Sequence, residues 1–349
     1  MPALAHLGGG VSDLQVSSVL SRGAFGVVYM GRWRSLPVAV KTLVVRDALA
    51  GAEGRQRQQA VLEAAISLSM AHENLVATYT YMLKPLVQQP PSAEDGAADG
   101  GGSPGRSVGP DEITVVDGGA DAYKLYIVQE LCNGGSLRQA LGVVRNGGSG
   151  RLLALRLALD VARGVAHVHA CRIVHGDLKP DNVLLVFAAV DGDKQHAEAT
   201  APCPGPASLS TAPASSSTQV PGFAALTAKV AAYGRLSPRS DVWSYGTMLI
   251  EFFYGCTFDD IAALYANVLE ARFNADGTVD TRGQYRRLCT LLLQDMFTTR
   301  EHAYALLTAS CFALEPHDRP TFGAIVTRLE TILCGAVKGD ESQADEAAH

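Results

Sequence analysis

Paired cysteines, long apolar runs and an excess of positive charge are all missing from this chain, and each absence excludes a class of protein. The seven cysteines are scattered and odd in number, and no two form a C-x-x-C pair. That spacing makes neither a zinc site nor a disulfide framework, so reduced thiols in the cytosol or nucleus are expected. Cys132, Cys171, Cys256 and Cys311 lie in apolar sequence and are expected as core thiols. No apolar run reaches the roughly 18 residues that a membrane-spanning helix needs. The opening Met1-Pro-Ala-Leu-Ala-His6 lacks the basic-then-apolar order of a secretory signal. Net charge is −6, which argues against a broad nucleic-acid surface.

What the chain does have is bulk. Its 349 residues suffice for two lobes or domains, and 47% hydrophobic content excludes a mostly disordered protein. Two stretches lose all apolar periodicity. Residues 86–122 carry Gln-Gln-Pro-Pro and Gly-Gly-Gly-Ser-Pro-Gly, and residues 191–221 carry Pro-Cys-Pro-Gly-Pro and Ala-Ser-Ser-Ser-Thr. Both read as low-complexity insertions between ordered segments. Residues 1–12 and 336–349 read as disordered tails.

Chemistry concentrates at His175-Gly-Asp-Leu-Lys-Pro-Asp-Asn-Val-Leu-Leu185. An acid (Asp177), a base (Lys179) and an amide (Asn182) stand between an apolar helical run and an apolar strand. The helical run, Leu152 to Ala170, keeps Leu152, Leu155, Leu159, Ala162, Val165 and His169 at helical spacing. His167 and His169 are two apart and do not face each other, so they are expected as core or surface histidines, with no metal ligated.

Near the start, residues 14–45 alternate apolar residues with turn signals and predict strands. Leu20-Ser-Arg-Gly-Ala-Phe-Gly-Val-Val28 lies between two of them. Gly23 and Gly26 permit a tight turn whose bare N–H groups can cradle phosphate oxygens, and Phe25 would shield them from water. A turn is expected at Ser35-Leu-Pro37. Val38-Ala-Val-Lys41 then ends an apolar strand on a lysine, which must snorkel out or meet a negative partner. A helix from about Glu53 to Met70 follows. On it Glu63, Ile66, Ser67 and Met70 share one stripe, and Val61, Ala64, Ala65 and Leu68 are expected to pack on the sheet.

The sequence resembles the protein kinase family. The loop at 175–185 is similar to H-R-D-x-K-x-x-N with Gly176 in place of the Arg. The segment 20–28 is similar to G-x-G-x-x-G with Ser21 at the first Gly. His72-Glu-Asn-Leu-Val76, Asn133-Gly-Gly-Ser-Leu137, Asp241 within Arg235–Gly246, and Cys311–Phe322 with Arg319 follow in the family's order. The spellings look like the tyrosine-kinase-like branch with a serine/threonine-type catalytic loop.

The resemblance implies an α+β, two-lobed protein-kinase-like fold. Residues 13–131 would form a β-rich N-terminal lobe with one main helix, and residues 132–335 an α-helical C-terminal lobe. It implies ATP at their junction, contacted by Ser21, Gly23, Phe25, Gly26, Val28, Ala39, Lys41, Glu63, Gln129, Glu130, Cys132 and Leu184. Glu63 would pair with Lys41, and Gln129 would be the gatekeeper. Asp177 would take the acceptor's proton, Lys179 would offset phosphoryl charge and Asn182 would hold Mg²⁺. Asp241 would steady the loop's backbone. A protein substrate or signalling partner is implied, and oligomeric state is left open. With Gly176 in place of the Arg, no activation-segment phosphate is expected to be needed for order.

Two family features are absent. At the position of Asp-Phe-Gly the chain reads Ala232-Tyr-Gly234, and alanine binds no cation. The activation segment that should follow, ending in Ala-Pro-Glu, is missing. The chain runs straight into Arg235-Leu-Ser-Pro-Arg-Ser-Asp241. Arg319, which pairs with that Glu in the family, is expected to be partly solvated or to have borrowed another acid. A natural loss of the metal ligand and a block removal of the segment both fit. Three readings stay open: a protein serine/threonine kinase with impaired catalysis, an ATP-binding pseudokinase or scaffold without turnover, and a chain that folds poorly because its substrate platform is incomplete.

Overall fold

The computed structural model describes residues 14–23, 26–46, 64–86, 122–145, 150–187, 226–230, 237–265, 280–299 and 301–347. They fall into two compact units. The first holds the chain to Ala71 and Val76–Leu131, and the second holds His72–Leu75 and everything from Cys132. Residues 72–75, expected in the N-terminal lobe, therefore belong to the second unit.

The first unit is a five-stranded antiparallel sheet of β1 (Leu14–Gly23), β2 (Gly26–Trp33), β3 (Leu36–Arg46), β4 (Thr78–Leu86) and β5 (Ala122–Glu130), in the order β1-β2-β3-β5-β4. The strands expected over 14–45 are present. The β2–β3 turn falls on Arg34-Ser35, ahead of the expected Ser35-Leu-Pro37. Both residues have positive φ, 50° and 67°, and Trp33 pairs with Leu36 around them. A two-residue turn of that kind follows the right-handed twist of the flanking strands. Val38, Val40, Met82, Tyr126 and Val128 fill one side of the sheet's core, and Val45, Ala64, Leu125 and Ile127 the other.

Residues 64–69 are helical. Their buried stripe corrects the expected one: Ala64, Ser67 and Met70 face inward, whereas Ala65 and Leu68 are exposed. Alanine at 64 brings the helix close against Val45, Leu125 and Ile127, and that contact sets the rotation. The first insertion leaves from Leu86 and returns at Ala122, which pair with each other. A long loop between paired ends adds little closure cost, because that cost grows only with the logarithm of length.

The second unit is built of helices. They are α1 (Leu137–Arg145), α2 (Gly150–Ala170), α3 (Pro238–Tyr254), α4 (Phe258–Tyr265), α5 (Thr281–Thr298), α6 (His302–Cys311) and α7 (Phe322–Ala347). The antiparallel pair β6 (Val183–Phe187) and β7 (Leu226–Val230) completes it. The α2 helix is its central rod. Leu155, Leu157, Ala158, Leu159, Val161, Ala162, Val165 and Val168 are all buried, more than one stripe, because α1, α3, α7 and β7 pack around it. Each fully buried leucine contributes about 2 kcal/mol. A Cβ on Gly164 would lie 2.5 Å from the Asn74 carbonyl, so glycine there lets His72–Leu75 dock on α2. Asn74 in turn accepts from Val230 N (3.0 Å) and donates through Nδ2 to the Ala228 carbonyl (3.2 Å), holding β7 in place.

The stretch from 336, expected as a tail, is helical as far as Ala347, and Ala336 is buried. Its Ala, Glu, Gln and Lys composition favours helix and contains no proline to stop α7. Cys311 is a core thiol as expected, and burial pushes it up to about 12. Cys132 and Cys256 are half-buried. Cys171 is exposed, contrary to expectation, because it sits in the turn just past α2. Among the described residues, no helix is long and apolar enough to cross a membrane.

Candidate functional site

In the first unit the sheet register gathers most of the expected nucleotide-contacting residues. Ser21 pairs with Val28, Gly23 with Gly26, Val28 with Lys41 and Ala39 with Gln129. Gly23 and Gly26 thus close a hairpin around residues 24–25. Gly26 has φ 132°, and a Cβ there would lie 2.0 Å from the Thr42 carbonyl oxygen. Only glycine fits, so the turn expected from the sequence rests on a steric requirement. Lys41 is half-buried in β3. Gln129 donates through Nε2 to Thr78 Oγ1 (3.1 Å), and the Glu130 carboxylate accepts from Ala77 N (3.3 Å). Phe25 and Glu63 lie outside the described residues.

In the second unit, Asp177, Lys179 and Asn182 come together. Lys179 Nζ is 2.9 Å from the Asp177 carboxylate. Asn182 Nδ2 donates both to the Asp177 carbonyl (2.7 Å) and to its carboxylate (2.8 Å). Asn182 closes the 3-10 turn Pro180–Asn182, which hands the chain to β6. The Asp177 N–H donates to Nδ1 of the fully buried His175 (3.2 Å).

The loop's backbone is fixed from beneath. The carboxylate of Asp241, itself 1% exposed, accepts from His175 N (2.8 Å) and Gly176 N (2.7 Å). His169 Nε2 lies 2.7 Å from the same group. Sequence reading placed Asp241 in this role and left His169 as an ordinary core or surface histidine. The signal for His169 was its place on the last turn of an amphipathic helix that leads straight into the loop.

Leu184 lies in β6, half-buried, and Cys132 is half-buried just ahead of the Asn133-Gly-Gly turn. That turn packs on β6. Gly134 N donates to the Leu185 carbonyl (2.8 Å), Leu185 N to the Gly135 carbonyl (2.8 Å), and Asn133 Oδ1 accepts from Phe187 N (2.9 Å).

Beside Lys179 is a pocket of about 260 Å³, walled by Trp243, Thr247, Met248, Phe258 and Tyr285. Glu251 lines it at 4% exposure. One of its oxygens accepts from Phe258 N (2.9 Å), and the other has no hydrogen-bond partner among the described residues. Burial pushes its pKa up to about 7.

Among the described residues, no group of three or more histidine, cysteine, aspartate or glutamate side chains could hold a metal ion. Mg²⁺ takes oxygen ligands in an octahedron, usually with one or two carboxylates from the protein. The Asn182 amide supplies one oxygen, the Asp177 carboxylate is occupied by Lys179 and Asn182, and position 232 is alanine. Residues 231–236, which include Ala232-Tyr-Gly234, lie outside the described residues. Seven residues join Val230 to Pro238, where the family carries its longer activation segment.

Arg319 has no acid partner among the described residues. Its Nε donates to the Ala313 carbonyl (3.0 Å) and its Nη1 to the Arg239 carbonyl (2.8 Å). Its guanidinium lies 4.8 Å above the Trp243 ring. Half-buried, it meets the first of the two expected outcomes, partial solvation, and uses carbonyls and an indole face in place of a carboxylate.

Comparison with known proteins agrees with this geometry. The family model described as "Protein kinase domain" matches residues 14–191. The chain is 27% identical over 331 residues to the serine/threonine-protein kinase pelle of Drosophila melanogaster, covering 90% of this chain and 56% of that protein. It is 30% identical over 266 residues to the tyrosine-protein kinase Src64B of the same species, covering 70% and 36%. To human mitogen-activated protein kinase kinase kinase 11 it is 25% identical over 337 residues, covering 92% and 31%. The chain thus spans little more than half of the length of the first of these and about a third of the others. With the family model covering half of the chain, and the five-stranded sheet and helical unit both in place, the chain belongs to the protein kinase domain family.

Proposed function

We propose that this chain binds ATP through the β1–β2 loop and Lys41, and that it is a serine/threonine-type member of the tyrosine-kinase-like branch whose phosphoryl transfer is impaired. The observation that carries the reading is an assembled acceptor side beside an incomplete metal side. Asp177 is oriented by Lys179 and Asn182 on a backbone held by Asp241. Position 232 carries a methyl group where the family places its cation-binding carboxylate. Similarity to pelle and to mitogen-activated protein kinase kinase kinase 11, together with Lys179, supports serine/threonine acceptors on proteins. Similarity to Src64B shows that overall identity does not separate the acceptor classes.

Loss of the carboxylate that holds a bridging cation removes stabilisation of developing charge. That is worth several kcal/mol, on the order of a thousandfold or more in rate. The seven-residue link between β7 and α3 favours a second reading, an ATP-binding scaffold with no turnover. Unpaired cysteine spacing supports an intracellular, cytosolic or nuclear, place of action.

Thermal shift of the full chain with ATP, with and without Mg²⁺, tests nucleotide binding. The expected result is a stabilisation that does not require Mg²⁺ and is lost in Lys41→Ala. A chain with a cooperative melt that ATP leaves unmoved would remove the nucleotide from the account.

A further inference from the structure

One nitrogen of His72 holds the turn that docks on α2. Nδ1 accepts from Asn74 N (3.0 Å), so the neutral ring carries its proton on Nε2. Leu75 N closes the turn on the His72 carbonyl (3.0 Å). Asn74 is 1% exposed and grips β7 twice, through its carbonyl at Val230 N and its Nδ2 at the Ala228 carbonyl. Leu75 bridges to Val230, and Val230 pairs with Val183, the residue after Asn182. A short run of hydrogen bonds therefore links one imidazole nitrogen to the strand that leaves the Asp177–Asn182 loop.

A second proton on the ring reverses the first of those bonds. Nδ1 becomes a donor facing the Asn74 N–H, and a buried N–H left without an acceptor costs free energy. Asn74 has little slack, because its Oδ1 is already buried without a hydrogen-bond partner among the described residues. The surroundings oppose the charge too. The ring of His167, on α2, lies 4.9 Å away between centroids. Arg163 on α2 and Lys229 on β7 act in the same direction, and Glu73 on the turn acts against them. Burial first, and His167 next, hold the His72 pKa below its ordinary value. The neutral ring thus stabilises the fold above the ordinary histidine value of about 6.5, and that stability is lost as pH falls through the lower folded value.

We propose that His72 is a proton-sensitive latch, in which a second proton on its ring frees the 72–75 turn from its Nδ1 bond and loosens β7, together with the end of β6 beside Asn182. The latch needs neither ATP nor turnover, so it stands or falls apart from the proposed activity.

The test follows amide hydrogen exchange of the full chain between pH 7.5 and pH 5.0. It reads protection factors, which remove the intrinsic pH dependence of exchange, at Val230 and at Leu329, a buried position in α7. Protection at Val230 is expected to fall at least threefold more than at Leu329, with a midpoint that coincides with the His72 ring titration seen by NMR. His72→Asn offers Asn74 N an amide oxygen that cannot gain a proton, and it is expected to keep Val230 protected at pH 5.0. His167→Gln is expected to move the midpoint to higher pH. Asp160 is the rival, because it accepts from Ala228 N (3.2 Å) and its own protonation would also loosen β7. Three results overturn the proposal: Val230 tracking Leu329 throughout, a midpoint apart from the His72 titration, or an acid-induced loss that His72→Asn retains. The last would assign the effect to Asp160. If His72→Asn is loosened already at pH 7.5, the match between the two midpoints in the parent decides.

Discussion

The carboxylate of Asp241 holds the backbone N–H of Gly176 at 2.7 Å, and Gly176 sits at φ 76°. A side chain at that φ is strained, so the glycine in place of the family's usual arginine relieves the loop at the point where Asp241 grips it. Gly176→Ala is expected to cost about 1–2 kcal/mol. Asp241→Asn, which replaces one acceptor oxygen of a buried group with a donor, is expected to cost about 2–4 kcal/mol. Urea denaturation of both variants checks the order. Equal stabilities for parent and Asp241→Asn would mean that the carboxylate does not support the loop.

Two glycines predict opposite outcomes. Gly26→Ala places a Cβ 2.0 Å from the Thr42 carbonyl at φ 132° and is expected to destabilise the first unit by about 2–3 kcal/mol. Gly142 lies in α1 with nothing within 4 Å of its Cβ position, so Gly142→Ala is expected to stabilise by about 0.5–1 kcal/mol. Melting curves that rank the two the other way would contradict the close approach of β3 to the glycine loop.

Glu251 predicts a pH dependence. Its folded pKa, pushed up to about 7 by burial, lies above that of an unfolded glutamate. The folded state therefore holds this proton more tightly. The resulting stability is fully present below about pH 4 and is lost as pH rises through 7, to the extent of about 3 kcal/mol. Glu251→Gln keeps an acceptor for Phe258 N and cannot ionise. It is expected to melt above the parent at pH 8 and close to it at pH 4.5. The same difference at both pH values would show that Glu251 is not strained by its charge.

The elements that rest on local chemistry were legible in the sequence. Glycines at 23 and 26, the lysine after Val38-Ala-Val and the helix before His175 each announce their structure through spacing or a steric need. Asp177, Lys179 and Asn182 were legible because only a few residues separate them. What escaped depends on packing. The rotation of the helix at 64–69 is set by how closely Ala64 approaches β3 and β5, and its apolar pattern alone pointed Leu68 inward. Cys171 has apolar neighbours in sequence and lies outside because α2 ends one residue earlier. Residues 336–347 looked like a charged tail, yet they extend a helix already anchored by Phe322, Ile325 and Leu329. The Arg239 carbonyl and the Trp243 indole that serve Arg319 come from α3, too far along the chain for sequence spacing to connect.

The central claim is that the acceptor side is built and the transfer is impaired. Single-turnover phosphoryl transfer from Mg²⁺-ATP to a protein acceptor, measured on the purified chain beside Asp177→Asn, tests it directly. The account predicts rates for the two that agree within about twofold at the background level, because the proposed loss of the cation-holding carboxylate removes on the order of a thousandfold in rate. Transfer by the parent that Asp177→Asn lowers a hundredfold would contradict it and show a working kinase without an aspartate at position 232.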